Sequence, residues 1–154
     1  MTVALGKKLP AFSLPRSDGS TWKTADTKGA PLVLFFYPKA MTPGCTLEGQ
    51  DFRDLHAAFK RAKTTVLGIS KDSCERQARF REKEKFPFEL LSDEDEKVCR
   101  LFDVIREKSL YGRKFMGIER STFLFDASGK LAREWRKVRV KDHAAEVLDA
   151  AKSL

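Results

Sequence analysis

Cys45 is the residue in this sequence best placed to act as a nucleophile. It follows Pro38-Lys39-Ala40-Met41-Thr42-Pro43-Gly44, a segment that leaves an apolar run and opens a helical pattern. A cysteine in the first turn of a helix meets unpaired backbone N–H groups and the positive end of the helix dipole, and both favour an anion. The thiolate is the reactive form of cysteine, so this position suits nucleophilic or redox chemistry. Two more cysteines, Cys74 and Cys99, and two histidines, His56 and His143, are the only other thiol and imidazole side chains. Neither histidine stands near a cysteine in sequence and no zinc-ligand spacing occurs, so neither a metal centre nor a histidine-based triad is read here. Periodicity puts His56 on the exposed side of the Cys45 helix. Cys99, between Val98 and the Leu101-Phe102 pair on an apolar stripe, reads as a core thiol. No glycine-rich phosphate loop is present, so nucleotide-driven chemistry is not read here either.

The elements that would position Cys45 follow from hydrophobic pattern. Leu32-Val33-Leu34-Phe35-Phe36-Tyr37 has the length and the branched and aromatic content of a strand buried on both faces, and Pro38 ends it. Leu47, Asp51, Leu55, Ala58, Phe59 and Ala62 recur at helical spacing, which predicts one helix running to about Ala62. Thr64 to Ser70 is the next strand, and the strand, helix, strand order implies a parallel right-handed crossover. Upstream, Phe12 and Leu14, the turn Ser17-Asp18-Gly19-Ser20 and the return Thr21-Trp22-Lys23-Thr24 form a hairpin. Thr27-Lys28-Gly29-Ala30 then reads as a loop.

Downstream, Asp72 or Ser73 can cap a surface-lying helix over about 74 to 85. Phe88-Glu89-Leu90-Leu91 is a short strand, and Ser92-Asp93 reads as the N-cap of the helix holding Cys99. The polar stretch 106 to 118 reads as a long loop. Arg120 to Asp126 and the segment from Leu131 to Val140 form an antiparallel pair across the turn Ala127-Ser128-Gly129-Lys130. Ala144, Val147, Leu148 and Ala151 mark a terminal amphipathic helix.

The 154 residues suit one domain, spanning 1–154, with a proper core, and 42% apolar content with twelve phenylalanines fits a globular protein. No window approaches 18 consecutive apolar residues, so no transmembrane helix is expected. Three cysteines and no apolar signal core over Met1 to Pro10 point to a reduced, cytoplasmic setting. The net charge of +8 raises nucleic-acid binding as a possibility, but the basic residues are spread along the chain. The densest run, Arg133 to Lys141, is read as a solvated face, and no nucleic-acid partner is expected.

A hairpin, a parallel crossover, an antiparallel hairpin and a closing helix make an α/β, thioredoxin-like fold: a central mixed sheet flanked by helices, with an N-terminal β-hairpin. A thioredoxin-type reductant would carry Cys-x-x-Cys, whereas Cys45 is followed by Thr46, Leu47 and Glu48.

Pro38, Thr42 and Cys45, at that spacing, resemble the peroxiredoxin signature. Phe36-Tyr37-Pro38-Lys39, Thr42-Pro43-Gly44-Cys45-Thr46, Val66-Leu67-Gly68-Ile69-Ser70, Leu91-Ser92-Asp93 and Gly117 to Leu124 extend the resemblance over nearly the whole chain. The subgroup they resemble is the bacterioferritin comigratory protein, or peroxiredoxin Q, type. The resemblance implies a thiol-dependent peroxidase acting on hydrogen peroxide and organic hydroperoxides. It implies Cys45 as the peroxidatic thiolate, Thr42 as a hydroxyl for the peroxide, Arg120 as a cation beside the sulfur and Pro38 as a cover. Glu48 would orient an arginine from behind. Thioredoxin, glutaredoxin or a small thiol would be the reductant, no cofactor or membrane would be needed, and the chain would be a monomer. The alternative is a non-catalytic thioredoxin-like module binding an acidic partner or nucleic acid through its basic surface.

The sequence departs from the subgroup in its recycling chemistry. A resolving cysteine is found in many members five residues after the peroxidatic one, where this chain has Gln50, and in others at a position matching Arg81. Cys74, two turns before Arg81, is the remaining candidate for a resolving thiol, in competition with direct reduction by an external thiol.

Overall fold

The computed structural model describes residues 3–27 and 29–154. Lys28, in the loop expected before the first buried strand, lies outside the described residues. In chain order the elements are β1 (Ser13–Pro15), β2 (Thr21–Lys23), a 3-10 turn (Thr24–Thr27), β3 (Leu32–Phe36), α1 (Pro43–Asp54), α2 (His56–Arg61), β4 (Thr65–Ser70) and α3 (Cys74–Glu84). Then follow β5 (Glu89–Ser92), α4 (Lys97–Leu101), β6 (Ile105–Leu110), β7 (Arg113–Ile118), β8 (Ser121–Phe125), β9 (Leu131–Trp135) and α5 (His143–Lys152).

The central sheet has the order β5-β4-β3-β8-β9, with β3, β4 and β5 parallel and β8 and β9 antiparallel to their neighbours. This is the thioredoxin-like arrangement, and β3 lies at its centre. Strand alternation divides the core into two layers. Val33, Phe35 and Tyr37 point to one face, where they join Phe52, Phe59, Phe80, Phe88 and Val147 from α1, α2, α3, the approach to β5, and α5. Leu32, Leu34 and Phe36 point to the other, where they meet Trp22, Cys99, Phe102 and Phe123. Every β3 residue is buried, and each phenylalanine so enclosed contributes on the order of 2–3 kcal/mol relative to an exposed one. Such packing holds β3 firmly, and Pro38 leaves from its C-terminal end.

Five expectations need correction. The helix expected to continue to Ala62 breaks at Leu55, whose backbone (φ −99°, ψ 5°) separates α1 from α2. Phe52 and Phe59, on either side of the break, lie in one core layer with their ring centroids 5.8 Å apart. His56 is consequently half-buried, 6.4 Å from the Phe88 ring, and not on an exposed face. Asp93 is not the N-cap residue of α4. Glu96 occupies that place, while the Asp93 carboxylate reaches forward to accept from the Val98 and Cys99 N–H groups at 3.1 and 2.6 Å.

The stretch read as a long loop is instead the β6–β7 hairpin, turned by Tyr111 and Gly112 at φ 51° and 77°. Those positive angles are the two-residue turn geometry that twists with the strands. The basic run Arg133 to Lys141 is only partly solvated. Arg136 donates to the carbonyls of Asp103 and Phe102 at 2.8 and 3.0 Å, and Arg133 lies 4.6 Å over the Trp135 ring.

Candidate active site

Parallel pairing of β3 with β4 sets Phe36, the end of β3, beside Ile69, one residue before the end of β4, so both strands finish at one edge of the sheet. Antiparallel pairing with β8 sets Ser121 opposite Phe36, so Arg120 arrives at that same edge. The loop from Pro38 to Thr42 leaves the edge and enters α1 through Thr42, an extended N-cap (φ −91°, ψ 157°), with Pro43 at the first helical position.

Thr42 makes no side-chain cap; its hydroxyl donates back to the Lys39 carbonyl at 2.8 Å. The first helical bond runs from the Thr46 N–H to the Thr42 carbonyl at 2.9 Å. By helix geometry the N–H groups of Gly44 and Cys45 have no intrahelical acceptor, and both belong to the turn that carries the sulfur.

Cys45 is 2% exposed, and its Sγ lies 3.5 Å from Arg120 Nη2. Arg120 Nη1 donates to Glu48 Oε1 at 2.6 Å. Glu48 sits three residues after Cys45 on the same helix face, so one guanidinium bridges a thiol and a carboxylate from a single turn. Burial pushes the Glu48 carboxyl up to about 7, although the Arg120 charge pulls in the opposite direction. Burial works against the charge on Arg120, but Glu48 and Cys45 outweigh it and hold the guanidinium above its ordinary value. Gly44 makes room for this arrangement: an added Cβ would stand 3.1 Å from Arg120 Nη2.

The structure therefore brings Cys45, Thr42, Glu48, Arg120 and Pro38 to one edge. Cys74 is at the first position of α3, half-buried, just after Ser73, whose hydroxyl accepts from the Arg76 N–H at 3.2 Å. Cys99 stays in the core, where burial and the Asp93 carboxylate push its thiol pKa well above the ordinary value. His143 is also buried, hydrogen-bonded through Nε2 to Thr122 at 2.8 Å, with its pKa lowered by burial to about 4.

Two groups near the site escaped the sequence reading. Lys108 of β6 is held below the ordinary lysine value by burial and by Arg120, with Cys45 and Glu119 pulling the other way, so it belongs to the electrostatic surroundings of the sulfur. Reading 106 to 118 as a loop hid it. The second is a polar chain beneath the Pro38 loop. Tyr37 hydrogen-bonds to Gln77, which donates to Ser70 Oγ at 3.0 Å, and Ser70 donates to Asp72 at 2.6 Å. No local sequence pattern announces these partners.

The pattern of the AhpC/TSA family matches residues 5–134. The chain is 49% identical to Peroxiredoxin Bcp of Bacillus subtilis over 154 residues, covering all of this chain and 98% of the relative. The chain belongs to the AhpC/TSA family, among the peroxiredoxins of the Bcp, or Q, type. Peroxiredoxin Bcp of Escherichia coli is 44% identical, with 94% of this chain and 92% of the relative covered. Among solved structures, Peroxiredoxin Q of Xanthomonas campestris aligns with a TM-score of 0.88 at 46% identity, covering 92% of this chain and 90% of that one. A cysteine-to-serine mutant of Xylella fastidiosa PrxQ aligns with a TM-score of 0.93 at 39% identity, covering 99% and 98%. Membership of this peroxiredoxin group carries thiol-dependent peroxide reduction as the class of chemistry.

Proposed function

We propose that this chain reduces hydroperoxides through Cys45 and is returned to the thiol state by a thiol reductant such as thioredoxin, glutaredoxin or a small thiol. The observation that carries the reading is the single guanidinium of Arg120 bridging Cys45 Sγ and Glu48 at the start of α1. In the first step the thiolate attacks one peroxide oxygen. The S–O bond forms, the O–O bond breaks, and the leaving oxygen takes a proton to become water or an alcohol. Cys45 is left as a sulfenic acid. The Gly44 and Cys45 N–H groups, the Thr42 hydroxyl and Arg120 would hold the two oxygens in line and stabilise the charge that moves onto the leaving oxygen. Pro38 and Ala40 would keep water from the sulfur.

One structure of the Xanthomonas campestris relative concerns its alkyl peroxide reduction activity. That supports including organic hydroperoxides among the substrates here. A binding module with no chemistry would have no use for an arginine and a glutamate buried beside a thiol, because burying charges is costly unless they are paired for a purpose.

For resolution, we infer that Cys74 competes with external thiols. Both positions at which the subgroup carries its resolving cysteine are occupied here by residues that fasten helices. Gln50 donates to Glu84 at 2.8 Å, and Arg81 donates to the carbonyls of Phe86 and Phe88 at 3.3 and 3.0 Å and pairs with Glu89 at 3.2 Å. Cys74 is the remaining thiol near the edge.

The deciding experiment is steady-state turnover of hydrogen peroxide and an organic hydroperoxide with thioredoxin or dithiothreitol as donor. Cys45→Ser should abolish it while leaving the fold intact; retained turnover in that variant removes the mechanism.

A further inference from the structure

We propose that Asp72 is a positioning residue for the Cys45 site, and that its carboxylate holds closed the same segment that must open when a second thiol reaches the sulfur. The inference rests on the peroxidase reading above and adds a residue that the reading does not use.

The geometry is specific. Asp72 Oδ2 accepts from the Ala40 N–H at 2.7 Å and from Ser70 Oγ at 2.6 Å, while Oδ1 accepts from Arg76 Nε at 2.9 Å. Arg76 Nη2 then donates to the Ala40 carbonyl at 3.1 Å. Both backbone polar groups of Ala40, itself 1% exposed, are thus taken by two residues that flank Cys74 in sequence. The Asp72 side chain is 7% exposed, so its three bonds are made largely away from water, where they are stronger than at a surface.

Ala40 stands midway between Pro38 and Thr42, and the next residue, Met41, has φ 65°. A long, non-glycine side chain in the left-handed region persists only where its surroundings over-determine the backbone. The paired bonds to Ala40 supply that constraint. They fix the loop that covers the sulfur, that orients Thr42 through the Lys39 carbonyl, and that leads into the first turn of α1.

The same bonds oppose the step that follows. A disulfide needs its two sulfur atoms about 2 Å apart. Cys45 is 2% exposed beneath this loop, so neither Cys74 nor an external thiol can reach it until the loop or the first turn of α1 moves. Movement of the loop releases Ala40 from Asp72 and Arg76. Weakening the Asp72 contact should therefore act in opposite directions on the two halves of the cycle, which a loss of general stability would not do.

The test uses the full chain with Cys74→Ser in every background, so that only added thiol resolves the sulfenic acid. Stopped-flow measurement gives the rate of Cys45 oxidation by hydrogen peroxide. A second mixing with dithiothreitol gives the rate of resolution, in which the thiolate forms an S–S bond to Cys45, the S–O bond breaks and water leaves. Asp72→Ala should slow the first step roughly tenfold, the loss expected for one charge-assisted bond, and speed the second severalfold. Asp72→Asn, which keeps an acceptor oxygen for the Ala40 N–H, should recover most of the first rate. Should Asp72→Ala not fold, Arg76→Ala, at a half-exposed position, should show the same opposed changes at smaller size. Two steps slowed together, or both unchanged, overturn the role of Asp72. A parent protein that consumes no peroxide rejects the peroxidase reading instead.

Discussion

Glu48 and Arg120 meet at 2.6 Å behind the sulfur of Cys45, and the second carboxylate oxygen of Glu48 is buried with no hydrogen-bond partner among the described residues. The pair orients the guanidinium toward Cys45, yet the carboxylate also draws on the positive charge that the sulfur would otherwise have to itself. Such a pair tunes the site and costs stability, because an incompletely satisfied buried carboxylate is a penalty.

Removing the arginine should separate these two effects. Arg120→Ala is expected to slow Cys45 oxidation by roughly a hundredfold or more, the scale for losing one preorganised donor to a developing charge. It should also lower stability by about 3–5 kcal/mol above neutral pH, since Glu48 would be left as a lone buried anion. Arg120→Lys should fall between, because an ammonium cannot reach both partners in the same fork. Stopped-flow oxidation and thermal melts at pH 8 check both; wild-type rates in the alanine variant would remove Arg120 from the mechanism.

Glu48 makes stability depend on pH in an unusual direction for a carboxylate. Folding raises its pKa from 4.5 to about 7, so the folded chain holds this proton more tightly than the unfolded one. The stability so supplied is complete below about 4.5 and is lost as the pH climbs through about 7, a change on the order of 3 kcal/mol. Glu48→Gln lacks this dependence and keeps an oxygen for Arg120. Melting temperatures from pH 5 to 8 should show the variant gaining on the parent as pH rises, and parallel curves would contradict the account.

Gly44 offers a finer probe. Gly44→Ala adds a methyl group 3.1 Å from Arg120 Nη2, close enough that the guanidinium must shift by a few tenths of an ångström. Oxidation of Cys45 should slow severalfold while the melting temperature stays nearly constant, because alanine suits a helix at least as well as glycine. An unchanged oxidation rate would show that Arg120 tolerates displacement.

The proposed resolving role of Cys74 can be tested by counting thiols. One equivalent of peroxide added to reduced protein should remove two thiols, with peptide mapping placing the crosslink between Cys45 and Cys74. Loss of a single thiol, with a trappable sulfenic acid at Cys45, assigns resolution to an external reductant.

The buried central strand, the helix that opens at Cys45 and the parallel crossover were legible because they show as apolar runs and helical spacing, whereas Arg120 beside the sulfur was implied only by the family resemblance. Glu48 facing Arg120 was accessible only through family resemblance, since nothing local couples residues 72 positions apart. The β6–β7 hairpin was misread because Arg106 to Met116 carry no apolar alternation. Only its base, Ile105, Gly117 and Ile118, is buried. Tyr111-Gly112 was the available turn signal, weaker than Asn-Gly because tyrosine is rarely driven to positive φ. The break at Leu55 has no sequence mark at all: no proline or glycine stands there, and apolar spacing runs straight through it.

Cys99 gives the molecule an internal clock. Its thiol is 0% exposed, and its backbone N–H is pinned by Asp93 at 2.6 Å, so a labelling reagent can reach it only when α4 comes away from the sheet. In a time course of alkylation, the two sulfurs at the sheet edge report local events, whereas the slow labelling of Cys99 records how often the core itself opens. Mass spectrometry of the intact chain can therefore read catalytic-site exposure and core opening from a single sample, without an added probe.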